Sequence, residues 1–248
     1  MKKNSFDLIV IGAGPGGIEA ALFASRKNLS VGLISATKIG GRATWGSLVP
    51  SKVWLASAEK AKSISGLEAF GFKSVESKLQ LDLDELRKKV GEQSSITSER
   101  YVQKLHKAGV NLFFGKASIK DPQSINIELN DGGHTEIKAR NIIVATGSGP
   151  RFTPDIKPNK DHIIAPKIAP GVEKIPDSLV MAGGGVTGTE YAYAFAALGT
   201  KVTIIQNGNQ LLPRLDEEVS RLFEDYLTSN FPVKIVTGAK VTNMVQEG

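Results

Sequence analysis

The stretch DLIVIGAGPGGIE at residues 7–19 decides the architecture expected of this 248-residue chain. It begins as a short apolar strand, passes through a G-x-G-x-x-G turn at Gly12, Gly14 and Gly17, and continues with helical spacing. In such a turn the first glycine permits the sharp bend, the second lets the backbone approach a pyrophosphate, and the third allows close helix–strand packing. The phosphates then face the positive end of the helix. The stretch therefore predicts a dinucleotide-binding unit, although a single copy of the motif is weak support.

The same pattern occurs a second time, 171 residues later. SLVMAGGGVTGTE at 178–190 aligns with residues 7–19, and VTIIQ at 202–206 aligns with VGLIS at 31–35. Because strand, turn, helix and second strand recur with one spacing, the sequence predicts two dinucleotide-binding units. The alternative for each turn is a glycine-rich bend in an α/β domain that binds no ligand.

Between the two copies the patterns are mixed. Helices are predicted around 51–64 and 84–107, and three strand-like segments, NLFFGKASI, SINIEL and TEIKARNIIVATG, follow as a β-meander. Six of the 11 prolines then fall from Pro150 to Pro176, which marks a domain boundary. The predicted fold class is α/β, with two Rossmann-like, doubly wound units and a β-meander.

Composition excludes several classes of function. The net charge is +6, but the basic residues lie in mixed-charge helices without an arginine-rich run, so we do not expect nucleic-acid binding. The apolar N-terminal run is broken by glycines and carries Asp7 and Glu19, which argues against a membrane helix and favours a cytoplasmic location. The three scattered histidines, His106, His134 and His162, argue against a metal site.

Five motifs together resemble the flavin-dependent pyridine nucleotide–disulfide oxidoreductases, the group of dihydrolipoamide dehydrogenase, glutathione and mercuric reductases and soluble transhydrogenase. The resemblance covers the whole chain and the order of the motifs is highly specific. The motifs are VIGAGPGG at 10–17, GG followed by PSK at 40–52, ATGSGP at 145–150, GGGVTGTE at 183–190 and LLPRLDEE at 211–218.

The resemblance implies FAD on the first unit and NAD or NADP on the second. It divides the chain into an FAD-binding domain at 1–150, a proline-rich linker at 151–177 and an NAD(P)-binding domain at 178–248. It also implies that Lys52 and Glu190 are catalytic and pair beside the reactive edge of the flavin; the alternative is two ordinary helix-surface charges. The implied cofactor-binding residues are Gly12, Gly14, Pro15, Gly16, Gly17, Ser35, Gly41, Arg42, Lys52, Ala117, Ala145, Thr146 and Gly147 in the first unit, and Gly183, Gly185, Val186, Gly188, Glu190 and Gln206 in the second.

The chain departs from the family in its redox motif. The family places two cysteines between the glycine pair and Pro-Ser-Lys, whereas this chain has Ala43 and Leu48 there and no cysteine anywhere. Neither side chain can carry electrons or exchange with a disulfide. Dihydrolipoamide, glutathione and thioredoxin chemistry are therefore excluded. Thr44 and Trp45 in this segment could offer a stacking surface, and the alternative is a packed tryptophan.

Two further departures concern the ribose positions and the length. The second strand of each unit normally ends at an acid that accepts the ribose hydroxyls, but here those positions hold Ser35 and Gln206, so NADH versus NADPH stays open. Family chains are longer than this one, so both the nicotinamide domain and the flavin domain are expected to be incomplete. Either the chain is a truncated product, or another polypeptide, as a C-terminal half or a homo-oligomer partner, supplies the rest.

The sequence favours an FAD-containing, NAD(P)H-linked oxidoreductase that passes electrons from reduced flavin to a small-molecule acceptor such as a quinone, a dye, oxygen or another nicotinamide. The alternative from a different class is a non-catalytic nucleotide-binding fragment or half-subunit. The retained Lys52 and Glu190 favour the enzyme, whereas the neutral Ser35 and Gln206 favour the binding module.

Overall fold

Two packing units make up the chain, one from residues 1–50 and 91–150 and the other from residues 51–90 and 151–248. The computed structural model describes residues 4–65, 67, 71, 81–150, 158–159, 162–165, 172–242 and 244. Residues 51–90 thus pack with the second unit, whereas the domain boundaries expected from the sequence place them in the first. Most of the predicted linker at 151–177 lies outside the described residues.

The elements alternate between strands and helices in both units. The first part of the chain contains β1 (Ser5–Ile11), α1 (Pro15–Arg26), β2 (Val31–Ser35), α2 (Gly41–Trp45), α3 (Leu48–Ser65), α4 (Leu83–Lys107), β3 (Asn111–Asp121), β4 (Ser124–Leu129) and β5 (His134–Val144). The second part contains β6 (Ser178–Ala182), α5 (Val186–Ala197), β7 (Lys201–Ile205), α6 (Glu217–Asn230) and β8 (Val233–Val236).

The first unit closes its five strands into a barrel in the order β1-β2-β3-β4-β5. Strands β1, β2, β3 and β5 are parallel where they meet, and β4 runs antiparallel between the far halves of β3 and β5. The meander predicted from the sequence is confirmed. It closes the barrel because β3 is long enough to pair with both β2 and β4, and β5 with both β4 and β1. Every residue of β2 is buried, as expected for a parallel strand covered on both faces.

The second unit has a three-stranded parallel sheet in the order β6-β7-β8. Its core joins α3, α5, β7 and α6 through fully buried side chains, among them Trp54, Phe195, Ile204 and Leu227. Helix α6 begins after Asp216, whose carboxylate accepts the Glu218 N–H at 2.9 Å and so caps the helix. In this way residues from both ends of the unit's sequence build one core.

The repeat in the sequence is also a repeat in hydrogen bonding. The Gly12 N–H donates to the Ile34 carbonyl at 2.8 Å, and 171 residues later the Gly183 N–H donates to the Ile205 carbonyl at 2.8 Å. Both bonds tie the start of a glycine turn to the end of the neighbouring strand. The two predicted Rossmann-like units are therefore confirmed as equivalent strand–turn–helix–strand arrangements.

Candidate functional site

The first glycine turn links β1 to α1 with the backbone that a phosphate-binding turn requires. Gly12 has φ +110°, a conformation that side-chain-bearing residues rarely adopt. A Cβ on Gly12 would collide with the Ala145 backbone, and one on Gly17 would collide with the Gly12 carbonyl oxygen. Pro15 occupies the first position of the helix, where a missing N–H costs nothing. Helix α1 therefore begins immediately after the turn, with its N-terminus next to the glycines.

Gly14 differs from Gly12 and Gly17 because a Cβ on it would face open space. It caps α1 with φ −77° and ψ 177°, and a Cβ built on it would meet no atom within 4 Å. The space beside Gly14 is thus free of protein at the point where the helix presents its unpaired N–H groups. Such a cradle fits a pyrophosphate, which is the group that a dinucleotide would place there.

A cavity of about 420 Å³ opens in front of this turn. Ten of the residues predicted for the first cofactor line it: Gly12, Gly14, Pro15, Ser35, Gly41, Arg42, Ala117, Ala145, Thr146 and Gly147. Gly16 and Gly17 lie in the first turn of α1, outside the lining, and Lys52 belongs to the second unit. The structure therefore brings most of the predicted set to one place.

The charge of this cavity suits an anion. No carboxylate occurs among the described residues that line it, whereas Arg42 and Lys116 both do. Arg42 donates to the Ser148 carbonyl at 3.3 Å, which links α2 to the loop that follows β5. Sequence reasoning missed Lys116; the pairing of Ser35 with Phe114 between β2 and β3 places it near the ribose position. Ser35 itself is buried and donates to the Thr37 carbonyl at 2.9 Å.

The segment that replaces the redox motif is braced by the rest of the first unit. Buried serines of α4 hold it, since Ser94 donates to the Thr44 carbonyl at 2.8 Å and Ser98 donates to the Ile39 carbonyl at 2.7 Å. The Trp45 indole N–H also donates to Ile39, at 2.9 Å, and the Lys38 ammonium lies 4.4 Å from the centroid of the Trp45 ring. Trp45 therefore makes packing and cation–π contacts within its own loop.

The two positions without cysteine lie at the ends of this segment. Ala43 is part of α2 and lines the cavity of the first unit. Leu48 is the first residue of α3, and its side chain is largely exposed. Neither residue offers a sulfur, a proton or a charge to a reaction.

The second glycine turn, between β6 and α5, repeats the backbone geometry of the first. Gly183 has φ +106°, Gly185 caps the helix with φ −77° and ψ 179°, and a Cβ on Gly188 would collide with the Gly183 carbonyl oxygen. As at Gly14, a Cβ on Gly185 would meet no atom within 4 Å. The second turn therefore offers a second phosphate cradle.

A cavity of about 480 Å³ runs from this turn along β6. Four predicted residues line it, namely Gly183, Gly185, Val186 and Gly188. Most of its remaining lining is apolar and comes from β6 and from residues 162–165. Gln206 and Glu190 lie outside this lining: Gln206 is buried against the turn, where its side-chain oxygen accepts the Gly184 N–H at 3.0 Å.

Lys52 and Glu190 form an ion pair within the second unit. The Lys52 ammonium donates to the Glu190 carboxylate, with 51% and 27% of the respective side chains exposed. Helices α3 and α5 also pack nearby, since the rings of Trp54, two residues after Lys52, and Phe195, five residues after Glu190, are 5.2 Å apart and both are fully buried. The structure therefore contains an ion pair between Lys52 and Glu190, whose catalytic role stays a prediction.

Tyr191 follows the acid of this pair and is the most strongly perturbed titratable group described. Burial raises the pKa of its phenol to about 12, and the neighbouring Glu190 carboxylate acts in the same direction. The phenol therefore keeps its proton to a higher pH than an ordinary tyrosine does.

Over the described ranges, every helix is too short or too polar to span a bilayer. The same ranges contain no cluster of three or more His, Asp or Glu side chains that could hold a metal ion.

Comparisons with known proteins agree with this arrangement. Residues 6–248 match the family model for pyridine nucleotide-disulphide oxidoreductases. A dihydrolipoyl dehydrogenase of Chlorobaculum parvum is 34% identical over 96% of this chain and 50% of its own length. A soluble pyridine nucleotide transhydrogenase of Chromohalobacter salexigens is 31% identical over 93% of this chain and 50% of its own length.

A solved structure shares the fold. LpdA from Mycobacterium tuberculosis superimposes with a TM-score of 0.87 at 27% identity, over 97% of this chain and 53% of that one. The chain thus spans about half the length of the relatives it matches.

Proposed function

Because the chain belongs to the pyridine nucleotide-disulphide oxidoreductase family, we propose that it is an FAD-dependent oxidoreductase that takes electrons from NADH or NADPH and passes them to a small soluble acceptor without a dithiol. The observation that carries the proposal is the pair of equivalent glycine turns, each with an open cradle at Gly14 or Gly185. Two cradles of one geometry suit two dinucleotides, and a nicotinamide donor together with a flavin acceptor is the combination that this family uses.

The residues of the first unit fit FAD. Gly12, Gly14 and the N-terminus of α1 would receive the pyrophosphate, with the positive charges of Arg42 and Lys116 on the same cavity. When bound, the flavin supplies hydride and single-electron chemistry that protein side chains lack. The protein contributes binding, orientation and charge.

In this proposal Lys52 is the cation that supports electron uptake. A fixed positive charge stabilises negative charge that develops nearby during a reaction. The Glu190 carboxylate orients the Lys52 ammonium by accepting its hydrogen bond. Half of the Lys52 side chain stays in water, which screens the charge and limits the size of the effect.

The acceptor is proposed from what the chain does not contain. With no cysteine in the sequence, there is no thiolate to exchange with a disulfide substrate. Acceptors that take electrons without a thiol, such as a quinone, a dye, oxygen or a second nicotinamide nucleotide, fit this chain. The expected activity is that of a diaphorase or transhydrogenase.

The test is a spectrum followed by two anaerobic additions. We expect the purified protein to be yellow, NADH or NADPH to bleach it, and a benzoquinone or an oxidised nicotinamide nucleotide to restore the colour. A protein that stays colourless after incubation with FAD and desalting would defeat the proposal.

A second candidate, a nucleotide-binding half-subunit without catalysis of its own, is favoured by the edge of the second sheet. Among the strands that the structure describes, only β7 pairs with β6, and Val180 on β6 is 57% exposed beside the apolar cavity. An unpaired edge next to apolar surface is a site for further polypeptide. This candidate predicts that flavin occupancy rises on co-expression with a C-terminal segment from a family member. Full occupancy with FAD in the chain expressed by itself would speak against it.

A further inference from the structure

The end of β7 is the position at which Rossmann-like units discriminate between the two nicotinamide nucleotides. An acid there accepts the ribose hydroxyls of NADH and repels the 2′-phosphate of NADPH. In this chain β7 ends at Ile205 and the next residue is Gln206, which is neutral. Because the side chain is neutral, its effect on the choice between NADH and NADPH depends on where it points.

The Gln206 side chain is turned away from solvent and used to hold the glycine turn. Only 6% of the residue is exposed, and its Oε1 accepts the Gly184 N–H at 3.0 Å. On the other side of the same glycine, the Leu212 N–H donates to the Gly184 carbonyl at 2.7 Å. Gly184 is thus held at both its N–H and its carbonyl, and Gln206 supplies one of the two bonds.

The backbone of Gln206 is equally constrained. Its N–H donates to the Val236 carbonyl at 2.8 Å, and its carbonyl accepts the Ala239 N–H at 3.1 Å. These bonds fix the residue between β8 and the segment that follows it. Because the backbone of Gln206 is fixed and its side chain bonds to Gly184, the side chain is held against the glycine turn.

The segment directly beyond Gln206 is uncharged. Residues 207–210 read Asn-Gly-Asn-Gln, and the first charged residues after β7 are Arg214 and Asp216, both exposed. Asn207 and Asn209 are exposed. Their amides can donate to a hydroxyl or to a phosphate, and they repel neither.

We propose that the second site binds NADH and NADPH with similar affinity, because Gln206, the residue at the position that would discriminate between them, holds the glycine turn instead. This inference rests on the proposed nicotinamide site of the second unit and deepens it. Gln206 is then a positioning residue that acts through Gly184, and it contributes no preference between a free and a phosphorylated ribose.

The test measures the dissociation constants of NADH and NADPH for the whole chain by calorimetric titration. We expect the two values to agree within about threefold. Gln206→Glu keeps an oxygen that can accept the Gly184 N–H but adds a negative charge at the end of β7, next to the glycine turn. It should weaken NADPH by about tenfold or more and change NADH by less than about threefold. Because the new carboxylate is nearly buried, the melting temperature should fall somewhat as well.

Two further variants separate charge from structure. Gln206→Leu removes the acceptor without adding charge, and it should weaken both nucleotides together and lower the melting temperature. Gln103→Glu, on the exposed face of α4 in the first unit, adds the same charge elsewhere and should leave both constants unchanged.

A parent protein that prefers either nucleotide by about tenfold or more would overturn the inference, as would an unchanged affinity ratio in Gln206→Glu. If the parent binds neither nucleotide, the proposed nicotinamide site fails and this inference fails with it. That result differs from a one-sided preference, which leaves the site standing.

Discussion

The Lys52 ammonium donates to the Glu190 carboxylate, although 138 residues separate the two in the sequence. The pair joins α3 to α5, and the packing of Trp54 on Phe195 keeps the two helices together. A cation whose direction is set in this way can act on a bound group, whereas an unpaired surface lysine samples many rotamers.

Lys52→Met should make the bound flavin harder to reduce, because it removes a cation that would stabilise the anionic reduced ring. One charge-assisted hydrogen bond contributes about 1.5 to 3 kcal/mol, and the exposure of Lys52 favours the lower end of that range. The midpoint potential should fall by roughly 30 mV. Lys60→Met, an exposed lysine of the same helix, is the matched control and should leave the potential unchanged. Equal midpoint potentials in the parent, Lys52→Met and Lys60→Met would show that Lys52 is an ordinary surface charge.

Gly14→Ala should abolish flavin uptake without destabilising the fold. The new Cβ meets no protein atom within 4 Å, and the backbone at Gly14 is extended, so only the ligand would collide with it. Gly17→Ala is the contrasting variant, because its Cβ collides with the Gly12 carbonyl and should lower the free energy of unfolding by about 1 to 3 kcal/mol. Flavin absorbance after desalting, measured with thermal unfolding, separates the two. Undiminished flavin in Gly14→Ala would show that the cradle is not the pyrophosphate site.

Dihydrolipoamide should fail to reduce the flavin under conditions in which NADH or NADPH reduces it within the mixing time. The reason is chemical, since Ala43 and Leu48 cannot form the mixed disulfide through which a dithiol donates electrons. Anaerobic stopped-flow absorbance measures both rates on one preparation. Bleaching by dihydrolipoamide as fast as by NADH would contradict the proposed route.

The stability of the fold should fall at alkaline pH through Tyr191. Its pKa is raised by burial from 10.0 to about 12, so the unfolded chain loses this proton first as the pH rises. The free energy of unfolding should therefore decrease from pH 10 towards pH 12, by about 2 kcal/mol from this group. Denaturant titrations of the parent and Tyr191→Phe should differ in slope over that range, with Tyr101→Phe in the first unit as the comparison. Parallel pH profiles for the parent and Tyr191→Phe would remove Tyr191 as the cause.

Trp54→Phe should be nearly neutral for stability, whereas Trp54→Ala should cost about 3 to 5 kcal/mol. The indole N–H of Trp54 is the buried polar side-chain atom without a hydrogen-bond partner among the described residues. Removing that N–H recovers about 1 to 3 kcal/mol, which offsets the smaller volume of phenylalanine. Chemical denaturation of the three proteins checks the order. A large loss in Trp54→Phe would indicate that the indole N–H has a partner after all.

The two units and their turns could be predicted from the sequence because their causes are local. A positive φ at Gly12 and Gly183, an extended cap at Gly14 and Gly185, and a buried second strand are each encoded within a few residues. The same holds for the meander, whose strands β3, β4 and β5 follow the predicted segments closely. The absence of a dithiol is likewise a matter of composition.

Other features depend on residues that are distant in the sequence and meet only when the chain packs. The grouping of residues 51–90 with the second unit follows from the burial of Trp54 and Leu86 in that unit's core. Lys116 reaches the first cavity through the register of β2 with β3. The orientation of the Gln206 side chain follows from its bond to Gly184, 22 residues away, and no pattern in the sequence predicts that bond. Residue types along the chain specify which groups are available, whereas packing and strand register specify which of them meet, because such contacts arise from the summed burial of many side chains.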